Sequence, residues 1–388
     1  MPRSKTLTEA ASQRNDVVAR RTARAGDGYK MITSFDIRNF RCFDALKQNG
    51  FKRFNFIVGD SGTGKTALLE ALFLAGGANA EIYLRVRRLR GFGESGGIEL
   101  LTATKAAYES LFRDLFFRFD QKAGAAIKFR DSEGRDRSLE IYYRGDETYK
   151  LPLKGPLGNA FIVDPITFKW ETPTRVINSQ IEIKDGKFEM TGASDVYPIV
   201  FVTPNTASGK LNAIKYSELS VRNQQKPVLA ALQRIFADVE DLALENVAGE
   251  LILHVSLKHL NEKLPLADLS GVMNKYLAII LSILANPKGV LLIDEIENGF
   301  YYRNMPVIVR SIIDLCNEYE VQIFATTHSY EFLQVLSRII DDATEESEEA
   351  AKHFTLMRLE RSASYQPTLK LVSGETYKAA IDQSFEVR

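Results

Sequence analysis

The sequence predicts an α/β fold built on a mixed sheet, and three observations support this prediction. The apolar run Phe54–Val58 leads into a glycine-rich loop and then into the Leu- and Ala-rich segment Ala67–Ala75. A second apolar run, Val290–Ile293, ends in two carboxylates. Helical and strand-like patterns then alternate over residues 272–340, as in folds whose helices cover a largely parallel sheet.

The amino terminus differs in texture from the rest of the chain. Residues 1–30 are polar, rich in arginine and without an apolar period that buries one face. They predict a disordered basic extension, with a functional basic arm as the alternative. From Ile32–Ile37 onwards apolar and polar residues alternate, which predicts a half-exposed strand.

The remaining elements follow in order along the chain. The predicted helices are Leu100–Phe117, Val272–Ala285, Pro306–Tyr319 and Tyr330–Ile340, with a mainly helical stretch over Ser217–Leu244. The predicted strands are Ala126–Phe129, Leu139–Tyr143, Val176–Ile183, Ile199–Val202, Leu251–Leu257, Val290–Ile293, Val321–Ala325, His353–Leu359 and Thr368–Val372. An acidic run over residues 341–349 predicts a solvated loop or helix end.

Composition excludes several classes of protein. Fifty basic and fifty acidic side chains cancel, so no global field draws the molecule to nucleic acid or to an anionic membrane. Cys42 and Cys316 are the only cysteines, which excludes a disulfide scaffold and suits a reducing compartment. No apolar window is long enough to span a bilayer, and no secretory signal opens the chain. We therefore expect a cytoplasmic protein without a membrane partner.

The glycine-rich loop matches the phosphate-binding pattern G-x-x-x-x-G-K-[ST] at every fixed position. It reads Gly59, Asp60, Ser61, Gly62, Thr63, Gly64, Lys65 and Thr66. Backbone N–H groups of such a loop surround the phosphates, and the positive end of the following helix faces them. The pattern predicts ATP binding, with Lys65 at the β- and γ-phosphates and the Thr66 hydroxyl on Mg²⁺.

The two carboxylates after the run Val290–Ile293 predict the other half of the site. A buried parallel strand delivers its last residues to the carboxyl edge of the sheet, where nucleotides bind in open α/β folds. Asp294 would hold Mg²⁺, and Glu295 would polarise the attacking water. Taken alone, the pair is also typical of a helix cap.

Lys65 and Asp294 are far apart in the sequence, whereas RecA-like and AAA+ ATPases place the corresponding residues much closer together. The long insertion resembles the ABC and SMC families. The segment Leu269–Met273 resembles a degenerate LSGGQ signature, in which Val272 and Met273 replace Gly and Gln. The resemblance implies that Ser270 and Gly271 contact ATP held by a second subunit; an ordinary helix N-cap is the alternative.

Two further residues fall where those families have nucleotide contacts. Thr327-His328-Ser329 follows a predicted strand and resembles the switch histidine, which implies that His328 acts on the γ-phosphate; the alternative is a surface histidine. Asn39-Phe40-Arg41 resembles the N-F-R motif of RecF- and SMC-like proteins, which implies that Arg41 contacts nucleotide phosphate. Thr203–Asn205 is the candidate for the Q-loop.

The run Asp294–Gly299, which reads D-E-I-E-N-G, resembles the OLD-like ABC ATPases, as does the end of the chain at Glu386–Arg388. Tyr301 departs from that pattern, since relatives frequently have His there. The resemblance implies an ABC/SMC-like P-loop ATPase head interrupted by an inserted lid. The predicted domains are a first ATPase part at 31–80, an inserted α+β lid at 81–204, a helical and signature subdomain at 205–260 and a second ATPase part at 261–388.

Some OLD-like proteins carry a Toprim nuclease, and others act beside a separate nuclease or toxin in anti-phage systems. No D-x-D cluster in strand context follows His328, so we expect no intrinsic nuclease. The likeness is nearest to stand-alone ATPase subunits such as that of the PARIS system. It implies a homodimer or higher homo-oligomer, an effector protein and a phage-encoded trigger protein.

Two other functions remain open at this stage. A RecF-like DNA repair or maintenance ATPase would bind DNA, although the neutral charge and the lack of a coiled coil weigh against it. The nucleotide-binding subunit of a membrane importer conflicts with the long insertion and the degenerate signature. The cluster Arg85, Arg87, Arg88 and Arg90 would grip phosphate or an acidic protein, or else form a solvated face or salt bridges between subunits.

Overall fold

A computed structural model describes residues 30–90, 105–143, 151–154, 160–163, 165–184, 187–190, 196–204, 209–341, 352–361 and 367–373. The amino-terminal extension, most of the acidic run, Asn205 and the carboxyl end at 374–388 lie outside these residues. The chain divides into two compact units. The first includes Phe35–Lys47 and Glu70–Pro198; the second includes Met31–Ser34, Gln48–Leu69 and Ile199–Arg388.

The strands of the described residues are β1 (Ile32–Phe40), β2 (Phe43–Asn49), β3 (Phe54–Val58), β4 (Ala125–Asp131), β5 (Asp136–Tyr143), β6 (Leu151–Lys154), β7 (Ala160–Val163), β8 (Ile166–Glu171), β9 (Val176–Lys184), β10 (Lys187–Met190), β11 (Ile199–Val202), β12 (Val239–Val247), β13 (Glu250–Leu257), β14 (Leu264–Pro265), β15 (Val290–Ile293), β16 (Gln322–Thr326), β17 (Phe354–Arg361) and β18 (Pro367–Ser373). The helices are α1 (Lys65–Ala75), α2 (Glu81–Leu89), α3 (Lys105–Arg113), α4 (Gly209–Val221), α5 (Lys226–Gln233), α6 (Leu266–Leu269), α7 (Gly271–Leu284), α8 (Met305–Glu318) and α9 (Tyr330–Asp341), with a 3₁₀ turn at Phe117–Phe119. Within these residues every helix is too short or too polar to cross a bilayer.

The first unit is built on a seven-stranded sheet in the order β10-β9-β8-β5-β4-β1-β2. Buried side chains of this sheet cap the last turn of α1: Trp170 donates its indole N–H to the carbonyl of Leu74 at 3.0 Å, and Arg137 donates to the carbonyls of Ala75 and Gly77. Carbonyls at a helix end have no partner within the helix, so these donors satisfy them. The sheet therefore fixes where α1 ends.

The second unit contains a six-stranded sheet in the order β11-β15-β16-β3-β17-β18. The first five strands run parallel, and β18 pairs antiparallel with β17. β3, β15 and β16 are buried at every position, which explains why they are continuous apolar runs in the sequence. Because the strands are parallel, the loops after β3, β15 and β16 leave the sheet at one edge.

The predicted α/β class with a mixed sheet is confirmed, because five parallel strands and one antiparallel strand form the sheet of the second unit. The units divide the chain at residues other than the predicted domain bounds, because β1 and β2 share a sheet with strands of the predicted lid. The predicted helical stretch was wrong after α5. Residues 239–247 form β12, which pairs with β13 across a turn whose Ala248 and Gly249 both have positive φ.

The predicted helix over Leu100–Phe117 is shorter in the structure, where α3 covers Lys105–Arg113 and residues 100–104 lie outside the described part. The other predicted helices and strands are present, with bounds that differ by a few residues.

Candidate functional site

The glycine-rich loop connects β3 to α1, which begins at Lys65. Gly59 opens the loop with φ 142°, and a Cβ there would lie 2.2 Å from the carbonyl oxygen of Leu359 on β17. Only glycine allows the two backbones to approach this closely. A loop followed by a helix amino terminus is the arrangement that binds phosphate through backbone N–H groups.

Lys65 points back into its own loop. Its Nζ donates to the carbonyl oxygens of Gly59 at 2.7 Å and Asp60 at 2.9 Å, and the residue is only 5% exposed. Burial lowers the pKa of Lys65 to about 8, although nearby carboxylates, Asp294 first among them, favour the charged form. An incompletely solvated cation therefore lies where the motif places the β- and γ-phosphates.

The middle of the loop faces outwards. Asp60, Ser61 and Gly62 are exposed and Gly64 is half-buried, whereas Thr63 is buried and donates its hydroxyl to the carbonyl of Asp60 at 2.9 Å. The internal bond holds the loop in a compact shape while its outer residues remain accessible. All eight residues of the predicted loop thus lie together at the carboxyl end of β3.

Asp294 follows β15 and contacts residues from the segments at the ends of β3 and β16. Its carboxylate accepts the hydroxyl of Thr66 at 2.9 and 3.1 Å. The hydroxyl of Thr326, the last residue of β16, donates to the same carboxylate at 2.6 Å. The sheet therefore brings together the ends of β3, β15 and β16, as the sequence predicted for Thr66 and Asp294.

Thr66 and Asp294 are chemically suited to Mg²⁺. A hydroxyl and a carboxylate are hard oxygen ligands, and both lie within hydrogen-bond distance of each other, so one small cation can reach both. Mg²⁺ at phosphate sites takes one or two protein ligands and fills its shell with phosphate oxygens and water. The residues present fit a cation of this kind.

Glu295 adopts an unusual backbone conformation next to this cluster. Its φ is 50°, which is uncommon for a residue other than glycine, and its N–H donates to the hydroxyl of Thr326 at 2.8 Å. Its carboxylate accepts the side-chain amide of Asn298 at 3.2 Å. Backbone strain of this kind persists where the surroundings enforce it, which occurs frequently at functional sites.

His328 and Glu297 are linked behind the cluster. The backbone N–H of His328 donates to Oε1 of Glu297 at 2.8 Å, and the N–H of Thr327 donates to the carbonyl of Ile57 on β3 at 3.0 Å. The second carboxylate oxygen of Glu297 is buried and accepts no hydrogen bond from the residues that the structure describes. The predicted action of His328 on a γ-phosphate stays a prediction, but its backbone is held to the segment that carries Glu295.

Ser270 caps helix α7. Its hydroxyl accepts the N–H of Met273 at 3.2 Å, which is the ordinary N-cap bond that the sequence left as the alternative role. Gly271 opens the helix, and a Cβ on it would meet nothing within 4 Å. The positive end of a 14-residue helix is therefore accessible, and its contact with a second subunit's ATP stays a prediction.

Arg41 belongs to the first unit, where its side chain is 6% exposed. Its guanidinium forms ion pairs with Glu70 at 2.6 Å and Asp114 at 3.0 Å. Arg87 also pairs with Asp114 at 3.0 Å, and Arg90 with Glu70 at 2.5 Å. Arg85 also pairs with Glu81 at 3.7 Å, so three arginines of the basic cluster form ion pairs within the chain. The contact of Arg41 with phosphate stays a prediction.

The sequence motifs assigned no role to four residues of the site. Thr326 and Glu297 hold the carboxylate segment, Lys275 contacts it from α7, and Arg361 at the end of β17 donates to the carbonyl of Gly62. Glu297 alone had a hint in the sequence, as the third carboxylate of the run after β15. The other contacts arise only when distant segments fold together.

Two family models match the chain. The one described as "AAA domain" matches residues 34–192, which include the glycine-rich loop. The one described as "AAA domain, putative AbiEii toxin, Type IV TA system" matches residues 207–334, which include Ser270, Asp294 and His328. The glycine-rich loop and Asp294 therefore lie in segments that are similar to AAA domains.

Two relatives share sequence with the chain. It is 25% identical to an ATP/GTP phosphatase of Helicobacter pylori over 345 residues, which cover 80% of this chain and 88% of the relative. It is 35% identical to structural maintenance of chromosomes protein 6 of Takifugu rubripes over 99 residues, which cover 24% of this chain and 9% of that protein.

Among solved structures, the chain is similar to an Smc head bound to the C-winged helix domain of ScpA, with a TM-score of 0.46 and 13% identity over 88% of this chain and 98% of that one. It is also similar to the SMC head domain of Thermotoga maritima, with a TM-score of 0.42 and 14% identity over 89% of this chain and 99% of that one.

Proposed function

We propose that the protein hydrolyses ATP as a homodimer and uses the ATP cycle to regulate a separate effector protein. The observation that carries the hydrolysis step is the cluster at Asp294, which joins Thr66 of the phosphate-binding loop to the segment of Glu295. A binding loop and a candidate base are thereby held in one rigid group of contacts. The AAA domain matches and the phosphatase relative support the same activity.

Each residue has a defined task in this mechanism. Lys65 exchanges its loop carbonyls for the β- and γ-phosphates, and Thr66 and Asp294 hold the Mg²⁺. When bound, Mg²⁺ neutralises phosphate charge. Glu295 accepts the proton of the attacking water, and His328 contacts the γ-phosphate.

The proposed dimer is supported by the exposed amino terminus of α7. A helix end attracts negative charge, and Ser270 and Gly271 leave this end open to a ligand outside the protomer. A second copy of the chain, presenting the γ-phosphate in its own loop, satisfies that end. Two ATP molecules would then lie between the two copies.

The effector is the part of the proposal that rests on likeness. The D-E-I-E-N-G run resembles OLD-like ATPases that act beside a nuclease or toxin, and one matching model is described with a toxin and a type IV toxin–antitoxin system. We assign the chain the sensor role in anti-phage defence, with a Toprim-type nuclease or a toxin as effector and a phage protein as trigger. Fold likeness alone gives no function, so this step needs its own test.

Hydrolysis is tested with two substitutions. Lys65→Ala should abolish ATP binding, whereas Glu295→Gln should bind ATP, hydrolyse it at least about a hundredfold more slowly and accumulate as a dimer in size-exclusion chromatography. Wild-type turnover by Glu295→Gln would show that another residue is the base.

The defence role is tested by co-expression with the neighbouring genes, followed by affinity purification and phage plating. We expect a co-purifying effector and a lower plating efficiency, both lost in Lys65→Ala. Absence of both partner and protection for the wild-type protein would refute the sensor role while leaving the ATPase intact.

A RecF-like role in DNA maintenance is the second candidate, favoured by the 99-residue match to structural maintenance of chromosomes protein 6. It predicts ATP hydrolysis that rises when duplex DNA is added and a DNA affinity that falls steeply with salt. Hydrolysis that DNA leaves unchanged would exclude it.

A further inference from the structure

Lys275 lies beside the candidate base but has no task in the mechanism above. It is 5% exposed, and its Nζ donates to the carbonyl oxygens of Glu295 at 2.5 Å and Asn298 at 2.7 Å. The same Nζ lies 5.3 Å from the centre of the Phe300 ring. The ammonium group of Lys275 thus contacts three residues of the segment that follows β15, namely Glu295, Asn298 and Phe300.

Placing a cation here is unfavourable for stability. Burial lowers the pKa of Lys275 to about 8, while Glu297, Glu295 and Asp294 face it and favour the charged form. An apolar side chain would pack at this position without the desolvation penalty. The position therefore points to a role beyond packing.

The two hydrogen bonds around Glu295 show what that role is. Thr326 accepts the N–H of Glu295, and Lys275 donates to its carbonyl. These bonds fix the peptide groups on both sides of the Glu295 Cα and so support its left-handed backbone, φ 50°. Fixing both peptide groups fixes the direction in which the carboxylate leaves the chain.

Lys275 also shares a helix with Ser270 and Gly271. A helix of 14 residues moves as a rigid rod, so a shift at its amino terminus is carried to Lys275 little more than one turn further along. We propose that Lys275 is a positioning residue that transmits the position of the amino terminus of α7 to Glu295. The orientation of the base then depends on what binds at that helix end. This inference rests on the proposed function, since it assumes that Glu295 is the base.

The test is a double-mutant cycle. Lys275→Met removes the ammonium and keeps the length of the side chain. We expect kcat to fall about tenfold or more and the Kd for ATP to stay within about twofold, because only the orientation of the base changes. In a Glu295→Gln background, under single-turnover conditions, Lys275→Met should cause no further loss. We expect Ser270→Ala to lower kcat in the wild-type background and to have no further effect once Lys275 is replaced by Met.

A lysine of α4 that contacts the same helix, α7, provides a matched control. Lys215 donates its Nζ to the hydroxyl of Ser282, which lies in α7 away from Glu295, at 2.8 Å. Lys215→Met makes the same chemical change and should leave kcat unchanged. Lys275→Gln keeps an N–H donor but loses the charge, so its kcat should lie between those of the wild type and Lys275→Met. If Lys275→Met does not fold, Lys275→Gln replaces it in the double-mutant cycle.

Three results would overturn the proposal: wild-type kcat in the Lys275 variants, an equal loss in Lys215→Met, or the same factor of loss with and without the Glu295 carboxylate. Wild-type turnover by Glu295→Gln alone is a different result, because it removes the assigned base and therefore the proposed mechanism as well.

Discussion

The hydroxyl of Thr326 holds both carboxylate residues of the site. It donates to Asp294 at 2.6 Å and accepts the N–H of Glu295 at 2.8 Å. Thr326→Val keeps the shape of the buried side chain and removes both bonds. Asp294 keeps its bond from Thr66, but the Glu295 N–H loses the partner that the structure gives it.

The size of the effect follows from these two bonds. A hydrogen bond to a charged group contributes about 1.5–3 kcal/mol, and a buried N–H without a partner costs about 1–3 kcal/mol. We expect the free energy of unfolding, measured by urea titration, to fall by the sum of these two contributions, about 2.5–6 kcal/mol. Since about 1.4 kcal/mol corresponds to tenfold in rate, kcat should fall at least about tenfold as Glu295 leaves its strained conformation.

Thr355 provides the control for this substitution. Its hydroxyl is buried in β17 and has no hydrogen-bond partner among the described residues. Thr355→Val should therefore leave kcat unchanged and be neutral or stabilising by up to about 1 kcal/mol. If Thr326→Val retained a kcat within about twofold of wild type, or if Thr355→Val lost as much activity, the reasoning about the Asp294 cluster would be wrong.

Three other predictions address the loop and α7. Gly59→Ala places a Cβ 2.2 Å from the Leu359 carbonyl oxygen at φ 142°, so the free energy of unfolding in urea should fall by about 2–6 kcal/mol. In the control Gly249→Ala, at the β12–β13 turn, the Cβ meets nothing within 4 Å and the loss should be about 1 kcal/mol. Equal losses in the two variants would contradict the clash. Because burial lowers the pKa of Lys65 from 10.5 to about 8, the affinity for ATP, measured by calorimetry, should weaken above pH 8. The free energy of unfolding should rise from pH 8 to 10, because the lysine of the unfolded chain keeps its proton to a higher pH. An affinity and a stability that do not change over this range would contradict the prediction. Gly271→Leu should melt at the wild-type temperature, since a Cβ at this position meets nothing within 4 Å. If a second copy docks at the amino terminus of α7, the variant should nevertheless lose ATP turnover. Full turnover would argue against that dimer.

The sequence predicted which polar residues lie together where their positions depend on neighbours along the chain. The glycine-rich loop and the carboxylates after β15 are local patterns, because a loop geometry and a buried strand each require particular residue types at fixed spacing. The parallel order of β15, β16 and β3 then places Thr66 and Asp294 in contact, as expected from strand ends that share one edge.

Such local patterns do not predict contacts between segments that are distant in the sequence. Thr326 and Lys275 are ordinary residues in apolar stretches, and their role appears only when β16 and α7 pack beside the end of β15. The helical prediction over residues 239–244 failed for a related reason. Pairing with β13 decided the conformation of β12, since tertiary context overrides local preference.

The polar groups of the site already have hydrogen-bond partners within the protein. This determines which ligand can bind there with a favourable free energy. Lys65 contacts the carbonyls of Gly59 and Asp60, and Thr66 contacts Asp294. A neutral ligand would only exchange one set of hydrogen bonds for another, with little net gain. A phosphate chain instead places negative charge beside a buried cation whose present partners are neutral carbonyls, and this charge pairing strengthens as water is excluded. The geometry therefore favours the charged phosphates of a nucleotide over an uncharged nucleoside, and comparing the affinities of ATP and adenosine tests this directly.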